Sequence, residues 1–216
     1  MKVAPSIIAA NFTEFQKEIN KVESAGADLL HLDVMDGVFV PNITFGPMIV
    51  EAIKKISTVE IDAHLMIIKP ENYLAQFIDA GLDWISFHSE ATRQTDDCIK
   101  YIRRRKIKTG LAINPPTPFE KTKRFIEKLD YVLIMTVNPG FYGQELITGV
   151  LKKIEQAKDW ITKQRLDCLI EVDGGINTEN ASLVSQAGAD IVVAGAGVFK
   201  SNDYRQAIEK LRCSKV

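Results

Sequence analysis

Three segments share one pattern: SAGADLLHLDV (24–34), DAGLDWISFHS (79–89) and QAGADIVVAGA (186–196). Each has a glycine where a helix would end, then Ala or Leu, then Asp, and then an apolar run rich in strand-forming residues. The three glycines are separated by 55 and 107 residues, close to one and two multiples of about 54. If about 54 residues hold two strand–helix units, the 216-residue chain holds eight units. Eight is the number of strands that closes a parallel (β/α)8 barrel.

Strands predicted from the apolar runs are spread evenly along the chain. They are Val3–Ile8, Leu29–Val34, Glu60–Met66, Trp84–His88, Thr109–Ile113, Tyr131–Thr136, Leu169–Asp173 and Ile191–Ala194. Amphipathic segments between them predict helices, and the pairs Thr13 with Gln16 and Thr117 with Glu120 predict capping boxes. An open doubly wound sheet is the competing α/β architecture, but it rarely repeats so evenly. Since no linker divides the chain, we expect one (β/α)8 TIM-barrel domain over residues 1–216.

The composition argues against several classes of protein. The chain is 46% hydrophobic and 25% charged, and its net charge of −1 offers no attraction for nucleic acid or an anionic membrane. No apolar stretch approaches the ~18 residues of a membrane helix. Cys98, Cys168 and Cys213 are odd in number and far apart. This spacing argues against a disulfide framework and predicts a cytoplasmic location.

Polar residues interrupt the strands near their carboxyl ends, where barrels of this kind place their chemistry. In HLDVMDG (31–37), His31 and Asp33 are two residues apart and therefore share one face of a strand. With His64 and Asp173 from two other strands, they offer two nitrogens and two oxygens to a divalent ion such as Zn²⁺. The alternative is structural, since a lone strand-end His is more often just hydrogen bonded and a strand-end Asp often caps a helix.

Other residues at strand ends give weaker patterns. His88 and Glu90 are interpreted as hydrogen bonders behind the site or as unrelated loop residues. Met35, Met66 and Met135 are three of only five methionines, and all lie at strand ends. They predict either ordinary core filling or an apolar cap that excludes water from a reactive intermediate.

Glycine-rich turns follow the last three strands: NPGFYGQ (138–144), DGGIN (173–177) and AGAG (194–197). Barrels of this class place a phosphate site after strands seven and eight, and glycines let backbone N–H groups crowd an anion. The turns contain no Lys or Arg, so backbone donors would carry the binding. The sequence therefore predicts a phosphorylated ligand. A metal and a phosphate would hold opposite ends of a small sugar phosphate.

These motifs together resemble one known family. The stretches APSIIAANF (4–12), HLDVMDGVFVPNITFGP (31–47), DAHLM (62–66), MTVNPGFYGQ (135–144) and EVDGGIN (171–177) are similar to ribulose-phosphate 3-epimerases over nearly the whole chain. The resemblance implies a barrel of the ribulose-phosphate-binding type and a metal-dependent isomerase of pentose phosphate metabolism. Such an enzyme interconverts D-ribulose 5-phosphate and D-xylulose 5-phosphate by two-base proton transfer at C3 through a metal-stabilised enediolate.

The resemblance also implies roles for residues by position. His31, Asp33, His64 and Asp173 match the ligands of one divalent ion per chain, Zn²⁺ or alternatively Fe, Mn or Co, and Asp33 and Asp173 match the two acid/base residues. The positions that match substrate-binding residues are Ser6, His64, Met35, Met66, Met135, Gly140, Phe141, Tyr142, Gly143, Asp173, Gly174, Gly175, Gly195 and Ala196. The resemblance further implies a phosphorylated ketose as substrate and a homo-oligomer.

One departure from the family concerns the last turn, where Ala196 and Gly197 follow the glycine and the family commonly has a serine. We therefore expect mainly main-chain phosphate binding there. Three alternatives stay open: a 3-epimerase of a hexulose 6-phosphate such as D-allulose 6-phosphate, a barrel lyase, and a non-catalytic phosphosugar-binding protein. A lyase would have a catalytic lysine at a strand end, and none of the eight predicted ends has one. Binding alone would need no second carboxylate beside Asp33.

Overall fold

In the computed structural model, residues 1–212 are described, and eight strands alternate with helices along them. The strands β1 to β8 are Lys2–Pro5, Leu29–Met35, Glu60–Met66, Trp84–His88, Lys108–Ile113, Tyr131–Met135, Leu169–Asp173 and Ile191–Ala194. The helices α1 to α9 are Phe15–Ser24, Pro47–Lys54, Leu74–Asp79, Thr95–Arg104, Glu120–Lys123, Leu151–Gln164, Ala181–Ala187, Ala196–Phe199 and Tyr204–Arg212. Cys213 and the end of the predicted domain lie outside the described residues, and the single domain over 1–216 stays a prediction.

All eight strands run parallel in one sheet, in the order β1-β8-β7-β6-β5-β4-β3-β2. The first and last strands of this order meet through a bridge between Ser6 and His31. Next to it, the Asp28 amide donates to the Val3 carbonyl at 3.0 Å. The sheet therefore closes on itself, and the predicted (β/α)8 barrel is confirmed.

The repeated glycine marks the end of a helix in each of the three matching segments. Gly26, Gly81 and Gly188 have φ angles of +99°, +105° and +113°. Only glycine adopts this backbone conformation without the strain that a side chain would add. The predicted order of helix, glycine and buried strand is thus confirmed.

The aspartate that follows each of these glycines ties neighbouring strands together at their amino ends. A fourth aspartate lies at the same place before β6. Each of the four precedes an even-numbered strand and accepts a hydrogen bond from a backbone N–H of the odd-numbered strand before it. The pairs are Asp28 with Val3 (2.9 Å), Asp83 with Ile61 (2.9 Å), Asp130 with Thr109 (2.8 Å) and Asp190 with Ile170 (3.0 Å). Because this contact joins strands two by two, the sequence repeats over pairs of strand–helix units.

The first strand is shorter than predicted. β1 ends at Pro5, not at Ile8, and Ile7–Ala9 form a short 3-10 helix. Ile7 is fully buried in that turn, as it would be in a strand, so the apolar pattern alone does not separate the two conformations. Ser6 consequently lies just beyond the strand, at the mouth of the barrel.

Neither predicted capping box forms. Thr13 lies in a 3-10 turn, where its amide donates to the Asn11 side chain at 3.1 Å, and α1 begins without a side-chain cap. Thr117 turns its hydroxyl to the Glu90 carboxylate instead of capping α5. Thr13 is hydrogen bonded to the neighbouring Asn11 side chain, and Thr117 is hydrogen bonded to Glu90, which is distant in sequence. These contacts replace the local capping pattern.

The barrel interior contains an apolar part and a polar part. The rings of Trp84 and Tyr131 lie 5.2 Å apart in the apolar part, and Gly110 lies directly against the Tyr131 ring. The polar part consists of eight buried side chains: His31, Asp33, Asp62, His64, Ser86, His88, Glu171 and Asp173. None of the helices within residues 1–212 has the length and apolarity needed to cross a membrane.

Replacing Gly110 by Ala should destabilise the protein by about 1–3 kcal/mol, because overpacking forces side chains and backbone to move. The added Cβ would lie 2.3 Å from Cζ of Tyr131. Gly149→Ala is the control, since its Cβ would meet nothing within 4 Å. Urea unfolding gives the two free energies of unfolding. Equal stability of both variants would contradict the packing of Tyr131 against β5.

Candidate active site

Two histidines and two aspartates meet at the carboxyl ends of β2, β3 and β7. The register of β2 and β3 sets Asp33 beside His64, and His31 precedes Asp33 by one inward-facing position. Asp173 is the last residue of β7. One ligand atom from each of the four residues lies within 4.8 Å of the other three, and all four side chains are buried. The structure thus brings together the four residues that the sequence suggested as metal ligands.

Both imidazoles turn a nitrogen without a partner toward these carboxylates. His31 Nε2 lies 3.6 Å from Asp33 Oδ1, and His64 Nδ1 lies 3.6 Å from that oxygen and 3.5 Å from Asp173 Oδ2. Neither nitrogen has a hydrogen-bond partner in the described part of the chain. A buried polar atom left without a partner is costly. Two imidazole nitrogens and two carboxylate oxygens form a donor set that suits a divalent metal ion, so the cluster fits one.

Ser6 fixes the Asp33 carboxylate from the neighbouring strand end. Its hydroxyl donates to Asp33 Oδ2 at 2.5 Å, while Oδ1 faces His31 and His64. Ser6 is also the residue whose backbone bridges to His31 where the sheet closes. The position of this carboxylate is therefore coupled to the closure of the barrel.

The protein's own groups move the pKa values of the two aspartates in opposite directions. Burial raises the pKa of Asp33, but the nearby imidazoles of His31 and His64 and their charge outweigh it and hold this pKa well below its usual range. Burial, followed by the charge of Asp33, raises the pKa of Asp173, and contact with His64 offsets only part of that rise. Carboxyl groups whose pKa values diverge can hold different protonation states at one pH, as an acid and a base must.

Behind His31 lies a group of buried residues that the sequence analysis missed. His31 Nδ1 is 2.6 Å from Asp62 Oδ2 and 3.4 Å from Glu171 Oε1. The Tyr131 hydroxyl donates to Asp62 Oδ1 at 2.7 Å. Burial, followed by the charge of Asp62, raises the pKa of Glu171 to about 8. A signal was present, because Asp62 and Glu171 each precede a site residue, His64 and Asp173, by two positions on the same strand.

Behind His64, a second chain of contacts leads outward. His64 Nε2 lies 2.8 Å from His88 Nε2, and His88 Nδ1 lies 3.4 Å from Glu90 Oε2. Glu90 accepts hydrogen bonds from the Asn114 amide (2.9 Å) and the Thr117 hydroxyl. Burial and the charge of His64 lower the pKa of His88 to about 4. His88 and Glu90 were interpreted either as hydrogen bonders behind the site or as unrelated loop residues, and their position agrees with the first interpretation.

A cavity of about 520 Å³ opens above this cluster at the barrel mouth. Met35, Met66 and Met135 line it and are themselves almost fully buried. Every residue suggested for substrate binding lines the cavity except His64, which lies beneath it; the lining positions are Ser6, Met35, Met66, Met135, Gly140, Phe141, Tyr142, Gly143, Asp173, Gly174, Gly175, Gly195 and Ala196. None of the lining residues is Lys or Arg.

The three glycine-rich turns approach one another so closely that side chains would not fit. A Cβ on Gly175, which has a φ of +68°, would lie 2.5 Å from the Leu146 amide nitrogen. A Cβ on Gly197 would lie 2.8 Å from the Ile176 carbonyl oxygen. The backbones of neighbouring turns therefore come together in one part of the cavity lining.

The segment after β2 contacts residues at or after the ends of several other strands. Asp36 accepts backbone N–H groups from Val38, Phe39 and Ile68, each at 2.8 Å. The Phe39 ring lies 4.7 Å from the His88 ring, and the Asn42 amide donates to the Gly140 carbonyl at 2.9 Å. This segment is thus joined both to the residues just after β3 and to the glycine-rich turn after β6.

Comparison with solved structures supports the barrel. The 3-hexulose-6-phosphate synthase from Salmonella typhimurium has a TM-score of 0.73 at 16% identity, over 99% of this chain and 98% of that chain. A thiamine phosphate pyrophosphorylase from Pyrococcus furiosus has a TM-score of 0.66 at 13% identity, over 99% and 94% of the two chains. At such identities the likeness concerns the fold alone.

Sequence relatives are far more similar. The ribulose-phosphate 3-epimerase of Bacillus subtilis (strain 168) is 47% identical over 100% of both chains, and that of Escherichia coli (strain K12) is 38% identical over 97% of this chain and 94% of its own. The chloroplastic ribulose-5-phosphate-3-epimerase of Arabidopsis thaliana is 42% identical over 99% of this chain and 76% of its own. The ribulose-phosphate 3-epimerase family matches residues 2–199. The chain belongs to this family, and it is an isomerase.

Proposed function

We propose that this isomerase interconverts D-ribulose 5-phosphate and D-xylulose 5-phosphate, with Asp33 and Asp173 as its two catalytic acid/base residues. The observation that carries this proposal is that both carboxylates lie within 3.6 Å of His64 Nδ1 while their pKa values are moved in opposite directions. Inversion at C3 removes a proton α to the C2 carbonyl and returns a proton on the opposite face. The ionised group of the pair takes the first proton, the protonated group supplies the second, and the roles reverse in the other direction.

The proposed metal ligands are His31, Asp33, His64 and Asp173, for one divalent ion per chain. Their two nitrogens and two oxygens suit Zn²⁺, and Fe, Mn or Co accept similar donors. A bound divalent ion supplies electrostatic stabilisation of the negative charge that develops on the substrate oxygens when the C3 proton leaves. The protein contributes the fixed positions of these donors and a mouth lined by buried methionines that excludes water.

The phosphate of the substrate is proposed to bind at the glycine-rich end of the cavity. The turns at Gly140–Gly143, Gly174–Gly175 and Gly195–Ala196 line that end, and main-chain N–H groups are the donors there because no Lys or Arg lines the cavity. With the phosphate at this end, the reacting carbon of a five-carbon sugar extends toward Asp33 and Asp173. Asp33 and Asp173 line the same cavity as these turns, so one phosphorylated ketose would contact both groups of residues.

Homo-oligomer formation and a cytoplasmic location are proposed as well. Ile43, Met48 and Val38 are exposed by 76%, 74% and 68%, and they lie in or just after the segment that follows β2. Clusters of large exposed apolar side chains are typical of protein–protein contacts, and these three lie within one short stretch of the chain.

Asp33→Asn and Asp173→Asn should each lower net epimerisation by about 10²–10⁴-fold, because either change removes the acid/base group on one face. The assay uses D-ribulose 5-phosphate in D₂O, follows deuterium at C3 together with D-xylulose 5-phosphate, and runs D-allulose 6-phosphate in parallel. Glu145→Gln, which alters another carboxyl group lining the cavity, should leave the rate nearly unchanged. Metal content is measured alongside. An Asp173→Asn enzyme that keeps its metal and its rate would overturn the two-base proposal.

His31→Ala and His64→Ala should each remove the metal ion and the activity while the fold is kept, because both nitrogens belong to the proposed donor set. His88→Gln, which alters the third histidine, should keep close to one ion per chain. Elemental analysis gives the stoichiometry, and circular dichroism monitors the fold. Full turnover by rigorously metal-free wild-type protein would contradict the metal proposal.

Gly197→Ala should raise KM by about tenfold, or about 1.4 kcal/mol, and change kcat little, since the phosphate is remote from C3 and binds ground and transition states alike. The added Cβ would press on the Ile176 carbonyl and displace the turn. Gly149→Ala, whose Cβ meets nothing within 4 Å, serves as the control. An unchanged KM for Gly197→Ala would place the phosphate elsewhere.

A further inference from the structure

We propose that Asp62 is a positioning residue of the metal centre: it holds His31 by Nδ1 and thereby commits Nε2 to the ion. Asp62 is not among the four proposed ligands and does not line the cavity. This inference rests on the metal site proposed above and assigns the group that orients one of its ligands.

The Asp62 carboxylate is fixed at both oxygens. Oδ2 lies 2.6 Å from His31 Nδ1, and Oδ1 accepts the Tyr131 hydroxyl at 2.7 Å. Asp62, His31 and Tyr131 are all fully buried, so water does not compete for these contacts. The strand register places Asp62 directly beside His31, which leaves the two side chains little freedom to separate.

This contact decides which nitrogen of His31 is available to an ion. A carboxylate oxygen at this distance accepts a hydrogen bond, so a neutral His31 keeps its proton on Nδ1 and its lone pair on Nε2. Nε2 is the atom that faces Asp33 Oδ1 at 3.6 Å. A carboxylate behind a histidine ligand fixes its tautomer and orientation and makes it a stronger electron donor.

The second histidine is held differently, which gives an internal comparison. His64 has the His88 imidazole behind its Nε2 at 2.8 Å, and His88 is in turn 3.4 Å from Glu90. An imidazole behind a ligand orients it but carries no fixed negative charge. Removing the partner of His31 should therefore weaken metal binding more than removing the partner of His64.

Comparison with Glu171 distinguishes an effect of holding the His31 imidazole from an effect of a nearby carboxyl group. It is buried as deeply as Asp62, but its nearest oxygen is 3.4 Å from His31 Nδ1, and neither of its oxygens has a hydrogen-bond partner among residues 1–212. If a nearby carboxyl group were enough, Asp62→Asn and Glu171→Gln should weaken zinc binding equally. If the contact that holds the imidazole is what matters, only Asp62→Asn should weaken it.

The test measures zinc affinity of the full-length, metal-free protein by competition with a chromophoric chelator. Asp62→Asn should bind Zn²⁺ about 10–100-fold more weakly than the wild type. Glu171→Gln should stay near the wild-type Kd, and His88→Gln should fall between the two. Thermal unfolding is recorded with and without Zn²⁺. The metal-free melting temperature of Asp62→Asn should stay near that of the wild type, whereas the rise caused by Zn²⁺ should shrink.

Several results would overturn this assignment. A wild-type Kd for Asp62→Asn, or an equal loss for Glu171→Gln, would mean that Asp62 does not act by positioning. A wild-type protein that binds no Zn²⁺ would overturn the metal proposal and this inference together. Should Asp62→Asn fail to fold, Tyr131→Phe decides, because it frees one oxygen of an intact carboxylate: weaker zinc binding supports positioning, and a wild-type Kd overturns it.

Discussion

Strands β2 and β3 pair in a register that sets His31 beside Asp62 and Asp33 beside His64. Each imidazole therefore meets a carboxyl group on the neighbouring strand, inside a barrel where an isolated charge would cost several kcal/mol. A shift of either strand by one residue would turn its two site residues toward the helices. The chemistry of the site thus depends on the same hydrogen-bond ladder that builds the barrel, and Ser6 adds the closing contact between β1 and Asp33.

The two aspartates differ because their surroundings differ. Asp33 faces both His31 and His64, which favour its charged form, and it also accepts the Ser6 hydroxyl. Asp173 faces one imidazole and also the charge of Asp33, which disfavours a second carboxylate nearby. A reaction that returns its proton on the opposite face needs such a pair of unlike acids. The asymmetry is a consequence of strand position, and it requires no movement of the backbone.

Sequence periodicity and strand alternation predicted the barrel, its eight strands and the four clustered residues, because these features depend on local order along the chain. The partners behind His31 were missed because they depend on register. Asp62 reaches His31 across 31 residues, and Tyr131 reaches Asp62 across 69. The capping pattern at Thr117 failed for the same reason, since Glu90 offers a tertiary partner that no local rule includes. Applied to every strand, the alternation rule would have identified Asp62 and Glu171.

In the proposed site, strands carry the acid/base groups and turns bind the phosphate. This arrangement also explains why Ala196 is compatible with the reaction. Acid/base groups on strands are held within a rigid sheet, as proton transfer over short distances demands. The phosphate end instead consists of turns whose close approach leaves no room for side chains at Gly175 and Gly197, so its donors belong to the main chain. A hydroxyl lost from such a turn removes one donor among several and leaves the positions of Asp33 and Asp173 unchanged. Variation at the last turn is therefore expected to alter affinity for the phosphate rather than the path of the proton.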